Sequence, residues 1–407
     1  MISVKKARDI ISKQLKIMDT YKINLDESTG RVLAENISAP FPMPRFDNSA
    51  MDGFAVKADD IAKAKQDNPI TLKMVGGVSA GDPGDIVVGQ GECAQCMTGA
   101  PIPDGADAVV MVEDTSGYNS DSEVQIFIDS YSGKHIRKKG EEIAKGDLLI
   151  SKNIKITPAE LGTLATFGYR EILVYRCPRV ALMATGNELV KPGQDLKAGQ
   201  IYNSNLYVFS DLVKRVGAEI VLDEIIEDNP QALREFLSKA LTECDVIISS
   251  GGVSMGTHDY VRDIFMELGV KQHLWKVAQK PGKPLFFGTN PDTLIFGLPG
   301  NPVSSFIGFM EWVWPILEKM MGLTVSETIR AVLADSFPRE PVKTRFLFGR
   351  AWWEEDYLVC SPSIRVGSHM LSSSLDANCI ISCGPGDDHL SPGDRVNIRM
   401  LPWKSIL

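Results

Sequence analysis

The chain has 407 residues, too many for one small domain and enough for two to four domains with cores of their own. Its charged fraction of 23% and hydrophobic fraction of 44% are those of an ordinary globular protein, which excludes a disordered chain. Lys and Arg number 43 against 52 Asp and Glu, a net charge of -9, so no sequence-independent grip on nucleic acid or anionic lipid is implied and any basic site must be local.

In chain order, residues 3–18 read as an amphipathic helix. The stretch Met1 to Tyr21 spaces Lys5, Lys6, Arg8, Asp9, Lys13 and Lys16 among its apolar residues and lacks the apolar core of a signal peptide, so a cytoplasmic protein is expected. Residues 47–137 are rich in Gly, Pro and Asp, with short β-branched runs at 108–112 and 124–128, and read as an inserted β-rich domain. The flanking residues 1–46 and 138–177, with a helix after Thr157-Pro158, are expected to form one discontinuous domain.

From 178 to 327 strands and helices alternate. A buried strand, Val180 to Ala184, breaks at Thr185-Gly186-Asn187-Glu188; Ser204 is placed to cap a helix through Val216 that Gly217 stops; Ala218 to Ile226 is the next strand. Asn229-Pro230 opens another helix, 245–249 is a strand ending in Gly251-Gly252, 260–268 a helix, 293–296 a strand, and Asn301-Pro302 opens a long helix ending at Gly322. This alternation predicts a parallel sheet covered on both faces, with ligands outside the carboxyl ends of its strands. Residues 328–407, punctuated by Pro338, Pro341, Pro362, Pro385 and Pro392, predict a small terminal barrel or sandwich. The most apolar stretch, 306–317, contains Glu311 and Pro315 and is too short to span a bilayer. The seven cysteines, an odd number thinly spread, predict buried reduced thiols; Cys93 and Cys96 lack the second ligand pair of a zinc site.

Four polar or Gly-rich loops close the strands of the parallel sheet: 185–188, 227–229, 249–252 and 299–301. Singly, each is as readily a turn or a cap; together they predict a converging site in which glycine backbone N–H groups receive a phosphate-like oxyanion. Glu188, Asp228 and Asp259, in or beside these loops, are hard oxygen ligands suited to Mg²⁺. Lys276, Lys280 and Lys283, the last two in Lys280-Pro281-Gly282-Lys283-Pro284, form the local basic cluster. Gly252-Val253-Ser254-Met255-Gly256 matches the spacing of a hydrolase nucleophile elbow, but a glycine pair separates Ser254 from its strand and no His-Gly-Gly-Gly run exists. The dinucleotide and P-loop glycine fingerprints are both absent.

The loops Asp47-Asn48-Ser49-Ala50-Met51-Asp52-Gly53-Phe54-Ala55 and Thr98-Gly99-Ala100-Pro101 to Val110, together with Ser250-Gly251-Gly252-Val253-Ser254, Leu298-Pro299-Gly300-Asn301-Pro302-Val303-Ser304 and the 367–373 stretch, resemble the MoeA family of molybdopterin molybdenumtransferases, across essentially the whole chain. The resemblance implies an α/β multidomain fold: a MogA-like parallel molybdopterin-binding domain, an inserted β-rich domain, a linker domain and a C-terminal β-barrel. It implies a reaction on adenylylated molybdopterin and molybdate in which Mg²⁺-dependent cleavage releases AMP and molybdenum enters the dithiolene. Carried over by position, Glu188, Asp228, Asp259, Lys276 and Lys280 belong to the main site, with Thr185, Gly186, Asn187, Ser250, Gly251, Gly252, Pro299, Gly300, Asn301 and Pro302 around the pterin substrate. Asp52, Thr98 and Glu142 also carry over as catalytic residues, with Asp52 and Thr98 reaching the site from the other subunit of a homodimer with shared sites, and Lys280, Lys283, Arg350, Ser368 and Ser372 take molybdate. Contact with the molybdopterin adenylyltransferase and acceptor molybdoenzymes belongs to the same picture. Two departures are plain: Glu142 stands where the family's Arg-x-x-Gly-Glu-Asp motif ends in Asp, and Thr257 where members often carry an acidic residue. A reading of another class, a pterin-binding carrier or scaffold without turnover, predicts the same loops but has less use for the carboxylates.

Overall fold

The computed structural model describes residues 1–119, 122–252, 260–325 and 328–406. The chain divides into two compact units, one of residues 1–35, 152–161 and 170–407, the other of residues 36–151 and 162–169.

In the larger unit, a six-stranded sheet runs in the order Glu219–Ile226, Arg179–Thr185, Val246–Ser250, Thr293–Leu298, Pro284–Asn290, Lys271–Lys276. The first four strands are parallel, as the alternation predicts; the last two add an antiparallel pair at one edge, which the sequence did not disclose. Successive residues of each parallel strand serve opposite cores: Val180, Leu182 and Ala184 face one cluster with Phe209 and Phe296, while Ala181 and Met183 face the other with Leu233 and Phe265. Both faces are therefore apolar, which is why the inner strand reads as an unbroken hydrophobic run from Val180 to Ala184. The chain starts at Arg179–Thr185, moves to one neighbour and then returns to the other side, so strand order reverses between Thr185 and Ser250. Open α/β sheets hold their crevice at this position.

The helices follow their caps with three differences. The first is Val4–Ser12, six residues shorter at its C-terminal end than the apolar spacing predicts, because the chain continues as strand Thr20–Asn24, paired antiparallel with Glu171–Tyr175. Helix Asn205–Val216 has Ser204 at the N-cap, but the capping bond comes from Asn203, whose Oδ1 accepts from Leu206 N at 3.0 Å; Gly217 ends it with φ +99°. The long helix after Pro302 runs as Pro302–Gly308, a π turn Phe309–Val313 and Trp314–Met320. Pro315 has no N–H to give the Glu311 carbonyl, and the ladder slips to Trp314 N on Phe309 O instead. Asn229 caps Pro230–Glu243 as expected, accepting from Gln231 and Ala232.

The C-terminal part of this unit is a closed five-stranded barrel of Thr344–Glu354, Tyr357–Pro362, Ile329–Leu333, Arg395–Met400 and Cys379–Cys383, with the last strand also pairing the first. Leu333, Leu347, Ile381 and Ile398 fill it. A short strand, Gln279–Lys280, joins the barrel in parallel with Thr344–Glu354.

The smaller unit holds a five-stranded sheet in the order Ala108–Met111, Gly53–Val56, Glu92–Cys96, Ile70–Val78, Glu123–Ile126. Gly53 is required there, because a Cβ would lie 1.9 Å from the Val110 carbonyl oxygen. All seven cysteines are free thiols; Cys93, Cys96, Cys244, Cys360 and Cys379 are buried. Among the described residues no helix is long and apolar enough to cross a membrane.

Candidate functional site

A cleft of about 1150 Å³ opens at the carboxyl ends of the parallel strands. Of the expected residues, Thr185, Gly186, Glu188, Asp228, Ser250, Gly251, Gly252, Lys280, Lys283, Pro299, Gly300, Asn301, Pro302 and Ser368 line it. All four predicted loops thus contribute, and exposed Asn187, which is not among the lining residues, meets the second loop through its Oδ1, which accepts from Asp228 N at 3.2 Å.

Local bonding fixes this wall. Thr185 Oγ1 donates to Asp228 Oδ1, tying the first strand's end to the second loop. Asn205 Nδ2 donates both to Ser250 Oγ at 2.7 Å and to Gly300 O at 2.8 Å, bracing the third loop against the fourth. Gly251 and Gly252 have φ of +89° and +65°, and a Cβ on Gly252 would lie 2.3 Å from the Val261 side chain, so the close backbone turn needs glycine. The helix start is partly used: Val303 N donates to Ser368 O at 3.0 Å, and Asn301 Nδ2 donates to Ser368 Oγ at 3.2 Å instead of its oxygen capping the helix.

The opposite wall is basic. Buried Gln279 donates to Gly282 O at 2.8 Å and accepts from Trp312 Nε1 at 3.0 Å, which anchors the Lys280 to Pro284 loop. Lys280, Lys283, Lys343 and Arg345 line the cleft beside it. Arg345 and Lys343 were missed by sequence reasoning, as were Asn203 and Asn205; only the barrel pairing opposite Lys280 brings Arg345 here, and nothing local to Thr344-Arg345-Phe346 signals it.

Other expected residues lie elsewhere. Arg350 and Ser372 line a second cavity of about 630 Å³ with Asp335, Arg365 and Asp376, so the five expected molybdate residues divide between two cavities. Lys276 lies outside both, its Nζ 4.3 Å from the centre of the Trp275 ring. Asp52 and Thr98 meet in the smaller unit: Asp52 Oδ1 accepts from Thr98 N at 2.7 Å, and that bond holds the Asp52 carboxyl below its ordinary value. Glu142, also in the smaller unit, is exposed, and its N–H donates to Met43 O. Asp259, with Ser254 and Thr257, lies outside the described residues.

Glu188 and Asp228 line the same cleft with hard oxygen donors, chemistry that fits a Mg²⁺ ion sharing its shell with phosphate oxygens and water. Among the described residues no three His, Cys, Asp or Glu side chains form a metal-holding group.

The chain matches three family models in order: the MoeA N-terminal region (domain I and II) over residues 2–168, the probable molybdopterin binding domain over 181–319, and the MoeA C-terminal region (domain IV) over 330–401. It is 35% identical to a molybdopterin molybdenumtransferase of Staphylococcus epidermidis, covering 98% of this chain and 95% of that one. It is 32% identical to one of Haemophilus influenzae over the full length of both. The crystal structure of a molybdopterin biosynthesis MoeA protein from Pyrococcus horikoshii superposes with a TM-score of 0.84 at 30% identity, covering 98% of this chain and 99% of that one.

Proposed function

The chain belongs to the MoeA family of molybdopterin molybdenumtransferases and is a transferase of molybdenum cofactor biosynthesis, and from that premise we propose that it moves molybdenum from molybdate into adenylylated molybdopterin with Mg²⁺-dependent release of AMP. The observation that carries the reading is one cleft with two carboxylates, Glu188 and Asp228, on a wall of glycine-rich turns, and Lys280 and Lys283 on the wall of the Lys-Pro-Gly-Lys-Pro loop.

The turns 250–252 and 299–301 receive the pyrophosphate of the substrate through backbone donors. Glu188 and Asp228, with Asp259 by resemblance, hold Mg²⁺, which when bound offsets charge on the phosphate oxygens. Lys280 stabilises charge on the departing phosphate, and Lys276, outside the cleft, belongs to the site by resemblance alone. Lys280, Lys283 and Ser368 take molybdate in the cleft, a tetrahedral dianion that needs several donors, and Arg350 and Ser372 are further donors to it from the second cavity. Asp52 and Thr98 come from the β-rich domain of a second copy in a homodimer with shared sites, and Glu142 joins the catalytic set by resemblance. The four-part division at 46, 137, 177 and 327 goes with this picture and is supported by the pairing of Thr20–Asn24 with Glu171–Tyr175. The enzyme works in the cytoplasm, receives its pterin from the molybdopterin adenylyltransferase and hands its product to acceptor molybdoenzymes.

The test is AMP release from adenylylated molybdopterin by the purified chain with Mg²⁺, with and without molybdate, while light scattering reports the oligomer. Molybdate-stimulated release by a dimer is expected. No stimulated release from folded protein overturns the reaction, and a fully active monomer overturns the shared site.

A further inference from the structure

We propose that Glu340 is a positioning residue of the cleft, whose carboxylate holds Lys280 and Arg345 side by side, and that an oxyanion substrate binds these two cations by taking the carboxylate's place. The inference rests on reading the cleft as an oxyanion-transfer site. Lys280 and Arg345 are register partners in the parallel pairing of Gln279–Lys280 with Thr344–Glu354. Like charges placed opposite one another across strands repel, so the pair needs an anion. Glu340 supplies it through a single oxygen: its Oε1 accepts from Lys280 Nζ at 2.5 Å and from Arg345 Nη1 at 3.4 Å. The Lys280 hydrogen bond is the largest of the causes that hold the Glu340 carboxyl below its ordinary value, so this group is ionised at neutral pH.

The hold leaves donors unused. Only 7% of the Arg345 side chain is exposed, its contact to Glu340 is long, and its buried Nε has no hydrogen-bond partner. A guanidinium has five N–H donors, and one carboxylate oxygen at 3.4 Å answers few of them. A tetrahedral dianion entering beside Lys283 and Lys343 presents more acceptors to the same two cations. The exchange keeps both cations paired, and Glu340, with 21% of its side chain already exposed, passes to water. The carboxylate therefore keeps the cation pair assembled before substrate arrives, at the cost of competing with it.

The experiment compares the full chain with its Glu340→Gln variant, which keeps the shape and removes the charge. Molybdate alone is titrated by calorimetry, and AMP release is measured across a molybdate series. The dissociation constant is expected to fall about two- to fivefold, with the molybdate KM falling in proportion. A carboxylate with only a structural role would lower the melting temperature and leave molybdate affinity where it was; unchanged or weaker affinity overturns the proposal. Should Glu340→Gln not fold, Glu340→Asp retracts the carboxylate by one methylene, and a tightening of about two- to threefold is expected, with unchanged or weaker affinity again overturning it. If the unsubstituted chain binds molybdate but releases no AMP, the proposed reaction fails while the calorimetric comparison still decides the role of Glu340. If neither chain binds molybdate, both fall.

Discussion

Asn205 is the side chain on which two of the site loops depend, and replacing it with alanine has a calculable consequence. Its Nδ2 spans Ser250 Oγ and Gly300 O at 2.7 and 2.8 Å. Loss of the brace forfeits two hydrogen bonds at about 1 kcal/mol net each; Gly300, at the exposed lip, can bond water, whereas Ser250 is only 2% exposed and its hydroxyl loses a partner. The sum is about 2–3 kcal/mol of local stability at the 250–252 and 299–301 turns. Hydrogen exchange reads this directly, because Gly251 N donates to Leu298 O at 3.1 Å between the two loops. The Gly251 amide should exchange about 30- to 150-fold faster in Asn205→Ala, with the barrel strand Cys379–Cys383 unchanged. Acceleration below about threefold at Gly251, or equal acceleration in the barrel, would show that the brace does not hold these loops.

Further outcomes are expected elsewhere. Glu311, 4% exposed inside the π turn, accepts from Arg8 at 2.6 Å and Arg399 at 3.0 Å, so Glu311→Ala removes the carboxylate that two guanidinium groups share and should lower the melting temperature, a fall that Glu311→Gln reproduces only in part. Burial pushes the Cys93 and Cys360 thiols up to about 12, so iodoacetamide at pH 8 should leave both unlabelled in the native chain and label them after denaturation; rapid native labelling would contradict their burial. Asp228→Ala should abolish Mg²⁺-dependent AMP release at any molybdate concentration. Arg350→Ala, losing a contact of roughly 1.5–3 kcal/mol, should raise the molybdate requirement about ten- to hundredfold and be rescued by excess; equal rescue of both variants would mean the two groups serve the same step.

The parts of the molecule that were legible in the sequence are those where one local rule decides the outcome. Val180 to Ala184 is apolar at every position because both sheet faces are covered, and Asn229-Pro230 marks a helix start whose cap bonds are made as the pattern requires. Gly251-Gly252 and Pro299-Gly300-Asn301 announced their turns, and the strand order brings them together. What stayed hidden depends on distant partners. Pro284–Asn290 and Lys271–Lys276 pair with each other beside Thr293–Leu298, and no periodicity in Lys276 to Lys283 shows that two of these residues cross to the barrel. Barrel closure through Cys379–Cys383 and Thr344–Glu354 is likewise long-range, and it delivers Arg345 to the cleft while turning Arg350 to another cavity. The helix at the N-terminus ended at Ser12 because the strand pairing of Thr20–Asn24 claims the chain that apolar spacing alone would have continued.

Turnover itself is tested most directly by mass spectrometry of the pterin recovered from the full chain before and after incubation with molybdate and Mg²⁺. Loss of the adenylylated species, stoichiometric AMP, and a pterin carrying the isotope pattern of molybdenum are expected. Recovery of intact adenylylated molybdopterin from folded, pterin-loaded protein would contradict turnover and identify a carrier.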